Sequence, residues 1–422
     1  MTAQRTTSPV ERAPDDPLLG ADPVEAARAY VAGQALAESP GGRVGLELEL
    51  HLVDLATPAR RPAWPEIERL VAGLPAMPTG SSVTVEPGGQ VELSTPPGAD
   101  VVQAVADLRT DREVLGSALA EAGYGAAPVG ADLARPVQRV NPGARYAAME
   151  EHFDALGCAG SGQAMMSATA ALQVNLDAGP AAGWEQRLAL VRAMVPMLVA
   201  LSATSPYLGG QSSGWHSMRQ GTWQGIDHAR SDPFSAGEPA SAWAFYALSA
   251  PVMLVRDGTT MVPVRDRVSF AQWLQGDGPV ARPPGVADLD YHLTTLFPPV
   301  RPRGYVEIRC IDALPDRWWP AVAAVTATLV DDPVAADLAA ELCAPAADDW
   351  EAAARSGTAA PAVRRAVAGC LDVAARRCPP PLKVEVAELA ELFDSGRTPS
   401  GEVRRRVEAV GPLRAFEEEA HA

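Results

Sequence analysis

The chain has 422 residues, 47% hydrophobic and 21% charged, an ordinary soluble-protein balance with enough length for one large core or two smaller ones. A formal net charge of −17 excludes a general affinity for nucleic acid or anionic membranes, because such a surface repels phosphate at long range. The cysteines at 158, 310, 343, 370 and 378 are scattered, without a CxxC pair or a Cys/His spacing suited to zinc, so a reducing cytoplasm is the expected compartment.

Residues 1–20 carry charges and prolines but no apolar core, and read as a disordered leader, not a signal peptide or anchor. Apolar residues at helical spacing follow over 22–37. Residues 45–53 then alternate strictly, with Glu47, Glu49 and His51 on one face and Leu46, Leu48, Leu50 and Leu52 on the other, the period of a half-buried strand. Residues 83–93 alternate likewise around Pro87, Gly88 and Gly89, where a turn or bulge must re-aim the chain between Glu86 and Glu92. A helix is expected over 100–122. Residues 160–162, GSG, read as a flexible turn rather than a phosphate cradle. A third strand over 167–177 sets Thr169, Gln173 and Asn175 against Leu172, Val174 and Leu176.

The apolar stretch 188–208 is interrupted by Arg192, Pro196 and Pro206, and belongs to a buried helix over 184–202, not a membrane span. A last strand over 305–311 places Glu307 and Arg309 on one face and turns Cys310 to the packing side. Helical patterns resume over 320–342 and 362–378, and a charged, peripheral helical tail over 385–420 follows three prolines. Strands dispersed among helices without regular alternation indicate an α+β layer fold over a largely antiparallel sheet.

Three strands thus put carboxylates on the face that a buried strand leaves to water or ligand: Glu47, Glu49, Glu86, Glu92 and Glu307. If the strands are neighbours, these groups repel one another and raise each other's pKa unless cations sit between them. Oxygen-only donors favour magnesium or manganese over zinc. Each alternating pair alone is equally what any solvated strand face shows, and Arg309 beside Glu307 is either a cation for developing phosphoryl charge or a structural ion pair. His51 and His292, lacking an assignable partner, read as structural.

Taken together, GLELE at 45–49, VEPGGQVELS at 85–94, LQVNLD at 172–177, SMR at 217–219 with Trp223, YHLTTLFPPVR at 291–301 and YVEIR at 305–309 resemble the glutamate–cysteine ligase family. The likeness is to the branch shared by plant-type and actinobacterial enzymes, and runs in family order from about residue 43 to 315. The resemblance implies a glutamine-synthetase-like curved antiparallel funnel with helices outside, in a single catalytic domain over 21–422 with a sheet core at 43–315 and a helical part at 320–422. It implies metal ligands at Glu47, Glu49, Glu86, Glu92, Gln173 and Glu307, holding two or three Mg2+ (or Mn2+) against ATP. Arg309, Glu307 and Arg301 would contact the nucleotide. Arg219, Asn175, Thr169 and Trp223 would contact substrate, with Arg309 and Arg219 in catalytic roles. Plant-type relatives carry arginine and cysteine where this chain has Ala168 and Ala170, so contacts made through those residues do not transfer.

What the resemblance implies chemically is phosphorylation of the glutamate γ-carboxylate by ATP, followed by attack of the cysteine amine on the acyl phosphate. No GxSxG or Walker string competes with that reading. The high-GC residue usage and the actinobacterial likeness favour ergothioneine synthesis as the destination. Glutathione synthesis, another amine acceptor, or a non-catalytic binding subunit are the alternatives.

Overall fold

The computed structural model describes residue 18 and residues 20–421, so the expected leader falls almost wholly outside the described residues. Strand β1 (Val44–Asp54) is the spine of the main sheet. After it come β2 (Ser82–Val85), β3 (Val91–Ser94), β4 (Tyr124–Ala127) and β5 (Ala171–Leu176). Two short hairpins stand apart, β6 (Tyr207–Leu208) with β7 (Gln211–Ser212) and β8 (Leu254–Asp257) with β9 (Thr260–Pro263). Strands β10 (Val300–Pro302) and β11 (Val306–Asp312) complete the main sheet in the order β10-β11-β5-β1-β3-β2, with β4 also on β1 and every pairing antiparallel.

The alternation decides which face is buried. Leu46, Leu48 and Leu50 of β1, Leu172, Val174 and Leu176 of β5, and Val306 and Ile308 of β11 are fully buried. They pack against the helices Val101–Glu121, Trp184–Ser202 and Trp319–Asp331. Each such side chain contributes about 1.5–3 kcal/mol on leaving water, so a one-residue slip of β1 would expose its leucines and bury its acids. The opposite face carries the polar residues. No described helix is long and apolar enough to cross a membrane, and the helix at 184–202 lies in the core with Pro196 inside it.

Four expectations need correction, the last of them the C-terminal tail. The third strand begins later than its alternation suggests, because Ser167 and Ala168 end the helix Ala159–Ala168 and Thr169 turns extended, its hydroxyl donating to the Met165 carbonyl at 2.6 Å. Residues 167–170 are too small to declare a period. The same helix absorbs Gly160 and Gly162, which form no turn; a Cβ at Gly162 would lie 2.3 Å from the Phe153 ring, so glycine there permits close helix packing. The pattern over 320–342 divides into Trp319–Asp331 and Pro333–Cys343, since Pro333 has no N–H to continue the first helix and Asp332 caps the second at Ala335 N, 2.9 Å away.

The C-terminal tail is not peripheral. It forms the helices Lys383–Asp394, Pro399–Val410 and Pro412–Ala420, and the last two build a second core with Val53, Ala127, Val129 and Leu133. Phe416, fully buried, sits 5.7 Å from the His51 ring and 4.9 Å from the Arg135 guanidinium. This contact seals the far end of β1 and leaves His51 a buried neutral group, its pKa lowered by burial to about 3. Phe416→Ala is expected to destabilise the protein by about 3–5 kcal/mol, read as a fall in the urea midpoint. A change below about 1 kcal/mol would mean that the tail is dispensable to the fold.

Candidate active site

The polar face of the sheet opens into a cavity of about 320 Å³ lined by Glu47, Glu49, Glu86, Glu92, Glu307 and Gln173 together with Arg219, Arg301, Arg303 and Arg309. Pairing geometry brings these residues together from distant parts of the chain. Glu49 lies opposite Glu92 across β1 and β3, Glu47 opposite Gln173 across β1 and β5, and Glu307 between Asn175 of β5 and Arg301 of β10. All five predicted carboxylates therefore share one concave space.

The turn between β2 and β3 explains the EPGGQ string. Gly89 N donates to Glu86 O at 2.9 Å, with Pro87 and Gly88 at the turn's centre and Gly89 at φ +86°. A Cβ on Gly88 would fall 2.0 Å from the Ser167 carbonyl, so only glycine lets the turn approach the end of helix Ala159–Ala168. Gln90 Nε2 donates to Thr169 O at 2.7 Å and locks that approach. The turn thereby holds Glu86 beside Glu92 at the cavity wall.

Glu47 accepts a hydrogen bond from Asn175 Nδ2 at 2.8 Å, Glu49 from Ala171 N at 2.8 Å, and Glu92 from the Thr84 hydroxyl. These contacts do not offset confinement. Burial, then repulsion from neighbouring acids (Glu92 and Glu307 for Glu47, Glu86 for Glu49, Glu92 for Glu86), pushes the carboxyls of Glu47, Glu49 and Glu86 up to about 7. Burial and Glu49 raise Glu92 as well. Glu307 goes the other way. Burial alone would raise it, but Arg309, Arg301 and Arg303 outweigh that and hold it down at about 2. Arg301 grips Glu307 with two nitrogens, at 2.5 and 3.1 Å, and Arg309 Nη1 stands 3.2 Å away.

The cationic wall is organised by a bulge in β11. Ile308 pairs with Val174 and Ile311 with Leu172, so one extra residue sits in β11 between them. The carbonyls that the bulge frees are taken by side chains of the helix Met218–Gln224, Arg219 Nη2 to Arg309 O at 2.8 Å and Gln220 Nε2 to Cys310 O at 2.9 Å. Buried Asp312 anchors the same helix by accepting the hydroxyls of Ser217 (2.8 Å) and Ser205 (2.6 Å), while Ser205 Oγ accepts Arg219 N at 3.1 Å. Arg309 Nη1 in turn donates to Gln173 Oε1 at 2.8 Å. Arg219 Nε and Nη1, Arg309 Nε and Trp223 Nε1 are buried without a hydrogen-bond partner. Such orphaned donors beside a cavity are suited to an anionic or polar ligand.

The sequence expectations fare unequally. Thr169 and Trp223 reach the cavity, although the Thr169 hydroxyl is already committed to its helix. Asn175 stays outside it and holds Glu47 from behind. Cys310 is buried in the main core, and His292 bonds the Ala247 carbonyl at 2.8 Å, both away from the polar face. Sequence reasoning missed Arg145, Tyr146 and Met149 on helix Ala144–Ala155, Met165 and Met166 on the next helix, and Phe297. The one cue available was the Asn141, Pro142, Gly143 break that starts the first of these helices.

Among the described residues no three His, Cys, Asp or Glu side chains already form a metal cage. The oxygen-only donors instead surround an open cavity, which fits a hard ion that keeps part of its water and shares phosphate oxygens. Raised carboxyls also fit, because ionising all four acids without a cation is costly.

Comparison with known proteins gives a consistent picture. The model of glutamate-cysteine ligase family 2 (GCS2) matches residues 43–420. The glutamate–cysteine ligase EgtA of Mycolicibacterium smegmatis is 48% identical over 398 residues, covering 93% of this chain and 94% of that protein. EgtA of Mycobacterium tuberculosis is 49% identical over 395 residues, covering 92% and 91%. The chloroplastic glutamate–cysteine ligase of Arabidopsis thaliana is more distant, 30% identical over 282 residues that cover 65% of this chain and 53% of that protein. Among solved structures, the glutamate–cysteine ligase of Francisella tularensis in complex with AMP shares the fold at a TM-score of 0.55 and 13% identity, covering 91% of this chain and 88% of that one.

The raised carboxyls carry a signed consequence for stability. A folded-state pKa near 7 for Glu86, against 4.5 in the unfolded chain, means that its favourable contribution is full below pH 4.5 and lost as pH rises through 7. Glu86→Gln does not titrate, so without divalent cations the variant should gain stability relative to the parent between pH 5 and pH 8, read by urea unfolding at both. A difference that stays constant or shrinks with pH would mean that Glu86 is not under charge stress.

Proposed function

The chain belongs to glutamate–cysteine ligase family 2, and on that premise we propose that it is an ATP-dependent ligase joining the γ-carboxylate of L-glutamate to the amine of L-cysteine through a γ-glutamyl phosphate. The observation that carries this reading is one cavity with an acidic half, Glu47, Glu49, Glu86 and Glu92, facing a guanidinium half, Arg219, Arg301 and Arg309. A carboxylate is a poor electrophile, so amide formation needs a leaving group better than oxide, and ATP supplies it. The two halves suit the two ends of that transfer, cations held by the acids and phosphoryl charge held by the arginines.

The site residues take the following roles. Glu47, Glu49, Glu86 and Glu92 would hold two or three magnesium ions, and Gln173 Oε1 and Glu307 Oε1, each accepting one guanidinium hydrogen bond, would complete the donor set. Magnesium, when bound, neutralises nucleotide phosphates and polarises the transferred phosphoryl group. Arg309, fixed by Gln173 and Glu307, keeps its Nε unpartnered and available to that group, and Arg301 acts on the nucleotide through Glu307. Arg219, immobilised by the β11 bulge, offers Nε and Nη1 to the glutamate α-carboxylate or the acyl phosphate, with Trp223 beside it. The chain's work is orientation and charge stabilisation, since neither step needs a covalent side-chain intermediate.

The pathway reading goes with the acceptor. The product γ-glutamylcysteine serves as the first intermediate of ergothioneine in the cytoplasm, a reading supported by 48% identity to a mycobacterial EgtA over nearly the whole chain and by the high-GC residue usage. Purified protein given glutamate, cysteine and MgATP is expected to release ADP and a γ-glutamylcysteine mass, with loss of both when glutamate is omitted or EDTA is added. Arg309→Ala should lower kcat by at least about 100-fold. ADP release that ignores glutamate, or that survives Arg309→Ala unchanged, would sink the reading.

A further inference from the structure

We propose that Arg61 is a positioning residue for the cation site. Through a buried chain that runs from the Leu52 carbonyl of β1 by way of Arg135 and Asp132, it fixes the turn that carries Glu86 and so sets the affinity of the acidic cavity for a divalent cation. The inference rests on the metal role given above to the acids and goes beyond it in naming a residue outside the cavity that tunes them.

Glu86 is the acid least supported by the sheet. Glu47 and Glu49 ride on β1 between β3 and β5, Glu92 on β3 between β1 and β2, and Glu307 on β11 between β5 and β10. Glu86 instead follows β2, which among the described residues pairs with β3 alone and has no fully buried residue. A four-residue edge strand that runs into a glycine turn leaves a carboxylate free to drift unless something outside the sheet holds the turn.

Arg61 supplies that hold. It lies between β1 and the helix Trp64–Ala72, its side chain only 6% exposed. Nη1 donates to Gly88 O at 3.0 Å, and Nη2 to Asp132 Oδ2 at 2.8 Å and Pro136 O at 3.2 Å. The fully buried Asp132 carboxylate also accepts Arg135 Nε at 2.8 Å, and Arg135 Nη1 reaches Leu52 O at 2.8 Å. The turn is thereby referenced to the strand that carries Glu47 and Glu49. Arg61 does not line the cavity, so its influence on the acids runs through the turn. Its neighbour Arg60 is the opposite case, 39% exposed and paired with Asp54 and Glu66 near the surface. Two guanidinium groups around one buried carboxylate are costly in desolvation, and apolar side chains of like volume would often join the same loops without loss of stability. What the guanidinium adds is direction, because a planar fork holds two acceptors at set angles and an ammonium does not.

The test titrates Mn2+ into metal-free protein, read by loss of the free-ion paramagnetic resonance signal, alongside turnover at varied free Mg2+. Arg61→Lys keeps a cation for Asp132 but cannot hold Gly88 O as well. It should weaken Mn2+ binding, and raise the free Mg2+ that gives half-maximal rate, by about 10-fold, with kcat at saturating Mg2+ within about threefold and the KM for cysteine unchanged. Arg60→Ala should move neither metal constant by more than about twofold. Arg61→Lys with a lowered urea midpoint but parental metal constants would make Arg61 purely structural and overturn the proposal. If Arg61→Lys does not fold, hydrogen exchange of the unaltered protein decides. The amides of Gly89, Val140 and Asn141, which donate to the Glu86 and Pro87 carbonyls, should be as protected without metal as with it, and protection that appears only with Mg2+ would overturn the pre-set turn. No Mn2+ bound by the unaltered protein would remove the metal role of the acids and the proposal with it. Absence of glutamate-dependent ATP turnover would instead overturn the ligase reading, and the Mn2+ titration would still decide the role of Arg61.

Discussion

Confinement of like charge is the constraint on which this structure depends. Four carboxylates, Glu47, Glu49, Glu86 and Glu92, are held in one cavity, and burial together with repulsion from one another pushes three of them up to about 7. Left to itself such a cluster would splay apart. It is prevented from doing so because the acids ride on antiparallel strands whose reverse faces are leucine, valine and isoleucine packed on three helices. The burial of one face stabilises the electrostatic stress of the other, and that stress is what gives cations a reason to bind.

The arginines are restrained by a different device. The bulge in β11 leaves the carbonyls of residues 309 and 310 to be paired outside the regular ladder. Arg219 and Gln220 take them up. Asp312 secures the start of the same helix through Ser217 and Ser205. Arg219 and Arg309, far apart in sequence, therefore keep a set distance, and each retains nitrogens that no protein group satisfies. Preorganised donors of this kind can meet developing negative charge without reorganising when it appears.

A third element lines the cavity, helices that belong to neither sheet nor bulge. Helix Ala144–Ala155 and helix Ala159–Ala168 bring methionines to the cavity, and the EPGGQ turn is tied to the second of these through Gly88 and Gln90. The loop that carries Glu86 and the methionines that line the cavity are thus mechanically joined. The C-terminal tail closes the other end of β1 with Phe416, which keeps His51 dry and outside the chemistry although it continues the acidic face.

The amino-acid sequence by itself determined the strand faces and the acids, because a period of two assigns every side chain of a strand to one of two sides, and a run such as GLELE leaves no choice about which side is apolar. It also marked the EPGGQ turn, since proline and two glycines in a row permit few backbone paths. Tertiary structure alone decided what those acids meet. That Glu307 is gripped by Arg301 while Glu86 is not follows from strand order, which alternation does not encode. The reach of Met149, Met165 and Arg145 into the cavity, the helical state of residues 167 and 168 and the core made by the tail likewise depend on packing between segments, where small or helix-borne residues carry no period that points to their partner.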